Sequence, residues 1–575
     1  MSPTSPPQNT NRREVIEYHD GVNSMTILGD ALGHQQANRL VRIIVLDDGT
    51  KVDTQKAYPG LDEADIEYLQ KKGALNFPPR HVCRELLRLY FACIYPYAPI
   101  LDRVKFVQDY DTNQHSAFLL QSILANAVPH APLELLREAS YKDRITAQKS
   151  LFTKARLLYD LGCENSQLHL LQGSIMLSSL SFTYAMDKDY RYWLSNAGRI
   201  ATRMGLHRNY MSETLDTHSR HLFRRIWWVL YNRDTLMAVS GIDNLRRFND
   251  RYCDTAPLTE ADWDEPIEIP ASCGDIIRPM PRLQIVFMVE YCKLSTISGK
   301  FIHDFKAPGI VPTPDDIERF SDQLAFWRRQ LPVEMHIGAL AEWSSDNIWV
   351  LVLLAMGFRL EAIFCRSVRE YHRSKNDAPS MQSTARRQEA AMFELSTIIQ
   401  RASMHQVLHI CPLSFMTCAS TILAMRIEIA LDPTTTARKQ LAIKTQIFTE
   451  LEYLKESCEY WSSLIWTVRM FEAVISRTRL GLTPTSPNDT PDGDRDASPV
   501  NQRNDTRGYE AGVQSGPVDF RDNIAVAINT DANLAMSMSD DVFGILPVTD
   551  NYDWLQNLFG SKLNDDLMDD LYLAT

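Results

Sequence analysis

Residues 223–237 read FRRIWWVLYNRDTLM. At about 100° per residue, Phe223, Ile226, Trp227, Leu230 and Tyr231 share one helical face, and Trp228 widens it. So wide an apolar arc predicts a helix buried on nearly all sides. Asp234 falls four residues beyond Leu230, on the edge of that face. A carboxylate there needs a cationic or hydrogen-bonding partner, and Arg199 and Arg203 in the preceding helical stretch are the candidates. Adjacent tryptophans could instead stack nucleic-acid bases, but such a platform needs exposed rings beside a basic groove. The helical spacing of Trp227 and Trp228 assigns them to the core.

The same period runs outward in both directions. Apolar residues at helical spacing recur from LDEADIEYLQKKGAL, beginning at Leu61, to TELEYLKESCEYWSSLIWTVRMFEAVISRT, ending at Thr478. About a dozen such segments with short polar connections predict an all-α fold, a multi-helix stack. Residues 39–52, RLVRIIVLDDGTKV, are the one fair strand candidate. The longest apolar run, near Ile348–Phe358, is too short to span a membrane. The expected organisation is a disordered N-terminus at 1–20, a helical regulatory domain at 21–480, a disordered Ser/Thr-Pro linker at 481–535 and an acidic-hydrophobic tail at 536–575.

Composition excludes several functions. A formal charge of −12 argues against a surface wholly devoted to nucleic acid. Ten cysteines contain no C-x2-C pair, so no structural zinc site is readable, and free buried thiols in a reducing compartment are expected. No phosphate loop, dinucleotide fingerprint, H-E-x-x-H or nucleophile elbow occurs. His218 and His221 read as part of a polar loop. Asp565, Asp566 and Asp569 form a D-D-x-x-D string, which in an all-α enzyme could hold magnesium and a diphosphate. It lies a few residues from the chain end without a second metal motif, so a diphosphate-using enzyme is the weak alternative. No catalytic residue, metal ligand or cofactor is assigned.

Composition changes at Leu482. The following stretch is poor in large apolar residues, as a linker is, and carries Thr483-Pro484, Ser486-Pro487, Thr490-Pro491 and Ser498-Pro499, dipeptides suited to proline-directed kinases. The last 37 residues hold eight aspartates against one lysine. Phe543, Trp554, Leu555, Leu558 and Phe559 are interleaved with them. Acid repulsion keeps such a tail open, and an apolar groove on a coactivator could capture it as a short amphipathic helix.

Two blocks carry a resemblance. Trp193-Leu194-Ser195-Asn196-Ala197-Gly198-Arg199 leads into Met204-Gly205-Leu206-His207-Arg208, and Arg224-Arg225-Ile226-Trp227-Trp228 then precedes Tyr231-x-x-Asp234. This resembles the middle homology regulatory domain of fungal zinc binuclear-cluster transcription factors, roughly W-x-x-x-G-x-A-x-R-x-A-x-x-L-G-L-H-R followed by R-R-R-x-W-W-x-x-Y-x-x-D-R. Tyr68-Leu69, Lys72-Gly73-Ala74, Pro99-Ile100-Leu101-Asp102-Arg103 and Arg246-Arg247-Phe248 look like the cutinase transcription factor subgroup. Thr235 replaces the usual arginine, and Gly241-Ile242-Asp243 stands where G-R-P is common. The resemblance spans about residues 20–480 and makes Trp193, Gly205, His207, Arg224, Arg225, Trp227, Trp228 and Asp234 the motif residues. It implies a nuclear transcriptional regulator of a metabolic or secondary-metabolite gene set, with coactivators as partners of the tail. The six-cysteine cluster with which such proteins usually begin is not found, the first cysteine being Cys83. The expectation is that the DNA-reading module is absent from this chain. It would be supplied upstream, or by a zinc-cluster factor in a heterodimer; a homodimer of this chain is the other expected assembly. A repressor that pairs with such a factor is the other alternative.

Overall fold

Side-chain caps fix where most helices begin. The computed structural model describes residues 12–19, 24–33, 39–46, 61–180, 187–209, 215–243, 245–263, 269–338, 343–478 and 480. Strand β1 (Arg12–His19) pairs antiparallel with β2 (Arg39–Leu46), Arg12 opposite Leu46 and His19 opposite Arg39, with α1 (Ser24–Ala31) between them in sequence. The next helices are α2 (Glu63–Lys71), α3 (Arg80–Cys93), α4 (Arg103–Asp111), α5 (Ala117–Ala127), α6 (Leu133–Glu138), α7 (Arg144–Asp160) and α8 (Gln167–Leu177). Then come α9 (Tyr190–Arg203), α10 (Thr217–Val239), α11 (Arg282–Phe301) and α12 (Pro314–Arg329). The last are α13 (Ile348–Ser374), α14 (Ala378–Met404), α15 (Leu413–Leu431), α16 (Ala437–Ser457) and α17 (Ser463–Arg477). Asp62, Asp102, Ser116, Asp143, Ser166, Asp189 and Asp216 each accept a backbone N–H of the first turn, satisfying donors a helix start leaves orphaned.

The helices stack in succession. α5 packs against α3, α7 and α8; α8 against α9; α10 against α11; α11 against α13; and α13 lies along α14 and α15. α5 is buried from Phe118 to Ala127. Its polar side chains donate to main chain: the Gln121 amide to the carbonyls of Ala74 and Asn76, and that of Asn126 to Ser122 and Met176. α8 approaches α5 so closely that a Cβ on Gly173 would lie 2.2 Å from the Phe118 ring.

Four readings from sequence are corrected. Residues 12–19, placed in a disordered N-terminus, form β1; the Glu14-Val15-Ile16-Glu17-Tyr18 alternation is too short to stand out. Its Ile16 main chain is held by the Gln167 side chain, which accepts at 2.9 Å and donates at 3.0 Å. The run 449–478 is two helices, broken where Trp461 turns into the core beside His130, ring centroids 5.5 Å apart. α4 and α7 were not separated from the surrounding polar sequence. The apolar run at Ile348 continues as one helix to Ser374, so by length and composition Ser345–Ser374 and Leu413–Leu431 could each cross a membrane; 89% and 56% of their apolar windows are buried within the protein.

His130 gives the core a pH dependence. It is buried, and its Nδ1 lies 2.7 Å from the His409 carbonyl, so that nitrogen donates. Burial drives its pKa down from 6.5 to about 4. The unfolded chain therefore binds a proton that the folded one refuses between these values, and stability falls as pH drops through that window. The loss should approach roughly 3 kcal/mol by pH 4. Urea unfolding of the wild type and His130→Phe at pH 7.5 and 5 should show a steeper decline in the wild type.

Candidate functional site

Both blocks of the sequence motif meet on α9 and α10. α9 ends in a left-handed turn at Gly205 (φ 77°), with Gly205 N–H bonded to the Thr202 carbonyl and Leu206 N–H to Ala201, a Schellman closure. Glycine is required twice over there, since a Cβ would also meet the Tyr18 Cβ at 2.9 Å. The turn delivers His207 between two rings: Tyr18 of β1 at 5.4 Å, edge on, and Trp227 at 6.0 Å. Trp227 in turn meets Phe248 at 4.8 Å. Trp193 is buried, edge on to Tyr159 at 5.0 Å. Trp228 packs on Tyr231 and donates its indole N–H to the Ala256 carbonyl at 2.9 Å. The three tryptophans are core residues, as the periodicity indicated for Trp227 and Trp228.

The charged members of the motif tie α10 to the segment 245–263. Arg224 pairs with the buried Asp262 at 2.5 Å, and Asp262 also accepts the Thr259 N–H and hydroxyl. Arg225 is itself buried, donating to the Tyr95 hydroxyl at 3.3 Å and lying over the Trp263 ring. Asp234 is wholly buried. Its carboxylate accepts the main-chain N–H of Arg247 at 2.9 Å and of Phe248 at 3.2 Å, and the Arg247 guanidinium at 3.2 Å. Burial pushes the Asp234 carboxyl up, and these donors oppose it. Arg247 also binds Asp243 and Ser195, so one guanidinium joins α9, α10 and the segment.

The partner of Asp234 is thus Arg247, and the two arginines proposed from sequence are engaged elsewhere. Arg199 donates to Asn196, and Arg203 faces Glu17 of β1 at 3.5 Å. His218 and His221 lie in the first turns of α10, not in a loop, and His218 faces Asp102 at 3.0 Å. Cys411 and Cys418 are buried in the core, and burial pushes the Cys418 thiol up to about 11. Among the described residues no group of histidine, cysteine, aspartate or glutamate could hold a metal ion. Phe543, Trp554, Leu555, Leu558, Phe559 and the aspartate string lie outside the described residues.

The far side of the anchored segment lines a cavity of about 1230 Å³. Arg246 and Phe248 form one wall, the irregular turn Ile302–Lys306 after α11 another, and α13, α15 and α17 the rest. Arg246 clamps Asp250 through two bonds of 3.0 and 2.9 Å and lies over Tyr231. Sequence reasoning missed this cavity because its walls come from segments up to about 200 residues apart. A signal existed in Arg359, a lone cation in the run VLLAMGFRLEAIF.

An all-helical body, organised by a buried two-block motif and free of a metal cluster among the described residues, is the class that this geometry defines. Residues 87–241 match the fungal specific transcription factor domain. Over these residues the chain is similar to that family of fungal transcription factors. It is 32% identical over 436 residues to the fusaric acid cluster transcription factor of Gibberella fujikuroi, covering 75% of this chain and 63% of the relative. Over 220 residues it is 35% identical to cutinase transcription factor 1 beta of Fusarium vanettenii, 36% of this chain and 25% of the relative. Over 304 residues it is 25% identical to the acetamidase regulatory protein of Aspergillus fumigatus, 52% and 34%. The chain therefore spans a little under two thirds of the fusaric acid cluster relative. These relatives are transcription factors or regulators by name, not enzymes.

Proposed function

We propose that the protein is a nuclear transcriptional regulator of a metabolic gene set, of the kind secondary-metabolite clusters carry, and that it activates through residues 536–575. The similarity to the fusaric acid cluster factor, which extends over 436 residues and so well beyond the matched domain, supports the regulator part of this reading. The helical body is the regulatory part. Its motif residues hold the segment 245–263 in place and do no chemistry. The tail supplies the coactivator contact through Trp554, Leu555, Leu558 and Phe559, whose aspartate surroundings favour an open segment that folds on a partner. Promoter contact would come through a zinc-cluster module, in a dimer or in cis. The test is a reporter driven by the full chain fused to a heterologous DNA-binding domain. Activation should be lost on deleting 539–575 and strongly reduced by Trp554→Ala with Phe559→Ala. Undiminished activation by the truncated fusion overturns the tail assignment, and repression by the intact fusion overturns the activator reading.

A further inference from the structure

The cavity beside the motif hub contains a buried cation without an anion. Arg359, midway along α13, is 3% exposed and lines the cavity. Its Nε donates to the Thr421 hydroxyl at 3.0 Å and its NH1 to the Thr417 hydroxyl at 3.2 Å, both on α15. Among the described residues no carboxylate pairs with it. Two neighbouring cations on α13 and α15 do have a carboxylate: Arg366 pairs with Glu428 at 2.9 Å and Arg426 with Glu450 at 2.6 Å. Arg225, buried, and Arg233, half-buried, also have no carboxylate partner among the described residues, but they lie away from the cavity. They are engaged by a phenol and an indole ring, and by the Ile175 carbonyl and the Ser178 hydroxyl, respectively.

A guanidinium taken out of water and matched by two neutral hydroxyls and the Cys418 thiol is costly to keep. It is also the group best shaped to receive a carboxylate in two parallel bonds. Burial lowers the Arg359 pKa, the direction expected of a cation lacking its counter-charge. Phe301, Ile363, Met425 and Leu464 give the cavity an apolar wall, and charges of both signs line the rest, among them Lys300 and Arg251 and the carboxylates of Asp250, Asp304 and Glu428. The volume exceeds the usual range of small-molecule pockets, about 300–1,000 Å³. Arg366 is already paired with Glu428 and Arg246 with Asp250, so Arg359 is the fully buried cation of the lining left to anchor an amphipathic molecule against the apolar wall.

We propose that this cavity binds a small organic monocarboxylate. Its carboxylate sits on Arg359, beside the Thr417 and Thr421 hydroxyls, and its apolar body lies along Ile363, Met425 and Leu464. The segment anchored by Asp234 forms a wall of this site, so occupancy and the hub are mechanically linked. The proposal stands whether or not the chain activates transcription.

The test is calorimetric titration of the purified full chain with 4-butylbenzoate, with 4-butylbenzyl alcohol and inorganic phosphate as comparisons. The wild type should bind the carboxylate with one-to-one stoichiometry and at least about tenfold more tightly than the alcohol. Arg359→Met should weaken carboxylate binding about 100-fold. Without ligand it should unfold at the same temperature as the wild type or higher, because an unmatched buried charge is replaced by a thioether of similar length. Arg251→Ala should weaken binding less than tenfold. Equal binding of acid and alcohol by the wild type would overturn the proposal, a comparison that needs no variant. So would unchanged binding by a folded Arg359→Met, or phosphate displacing the carboxylate at equal concentration, which would mark a general anion site.

Discussion

Asp234→Ala is expected to destabilise the full chain by about 3–5 kcal/mol, measured by urea unfolding at pH 7. The argument is one of orphaned partners. The carboxylate accepts two main-chain N–H groups, of Arg247 and Phe248, and one guanidinium N–H. Removing it leaves all three donors in a site that water reaches poorly, and a buried donor left unpaired costs about 1–3 kcal/mol. Arg247 keeps Asp243 and Ser195, which limits the loss on its own side chain. The main-chain donors have no alternative. Asp234→Asn should cost less, since an amide oxygen still accepts from the backbone, but its NH2 group would face the Arg247 guanidinium. Hydrogen exchange should quicken at Arg247 and Phe248 in both variants. A loss under about 1 kcal/mol for Asp234→Ala, with exchange there unchanged, would mean that the segment 245–263 holds its place without the carboxylate.

How much of this was legible in the sequence follows from the range of the interactions. The helical class and the burial of Trp227 and Trp228 were readable because helical periodicity is a local signal. That Asp234 must be paired was readable too, because its position on the face is set by its own helix. The identity of the partner was not. Arg247 lies 13 residues on, past a turn whose path no periodicity describes, whereas Arg199 and Arg203 merely precede α10 in sequence. The same limit hid β1, which is held by its pairing with β2 and, at Ile16, by the side chain of Gln167, 151 positions away. It also hid the cavity, which no single segment encloses. Gly205 shows the intermediate case: a glycine closing a helix is a local expectation, but its contact with Tyr18 is tertiary.

Trp227→Ala should cost a similar amount, about 3–5 kcal/mol, by a different route. The indole is 1% exposed, and its removal opens a void between His207 and Phe248, which it separates. Those rings sit on different segments, His207 in the turn after α9 and Phe248 in the anchored loop, so collapse around the void requires both to move. Trp228→Ala should cost less, because that ring lies at the edge of the core with 9% exposure and contributes one indole hydrogen bond. A base-stacking platform would give the opposite pattern, little loss of stability from either change. The decisive measurement is the double variant. Asp234→Ala frees the backbone of Phe248 and Trp227→Ala frees its ring, so the second change should cost less in the presence of the first. Residues sharing a partner couple by about 0.5–3 kcal/mol. Strict additivity of the two losses in urea unfolding would mean that Phe248 is held from elsewhere and that α10 has no single hub. A sub-additive sum would make Phe248 the point through which the family motif fixes the cavity wall.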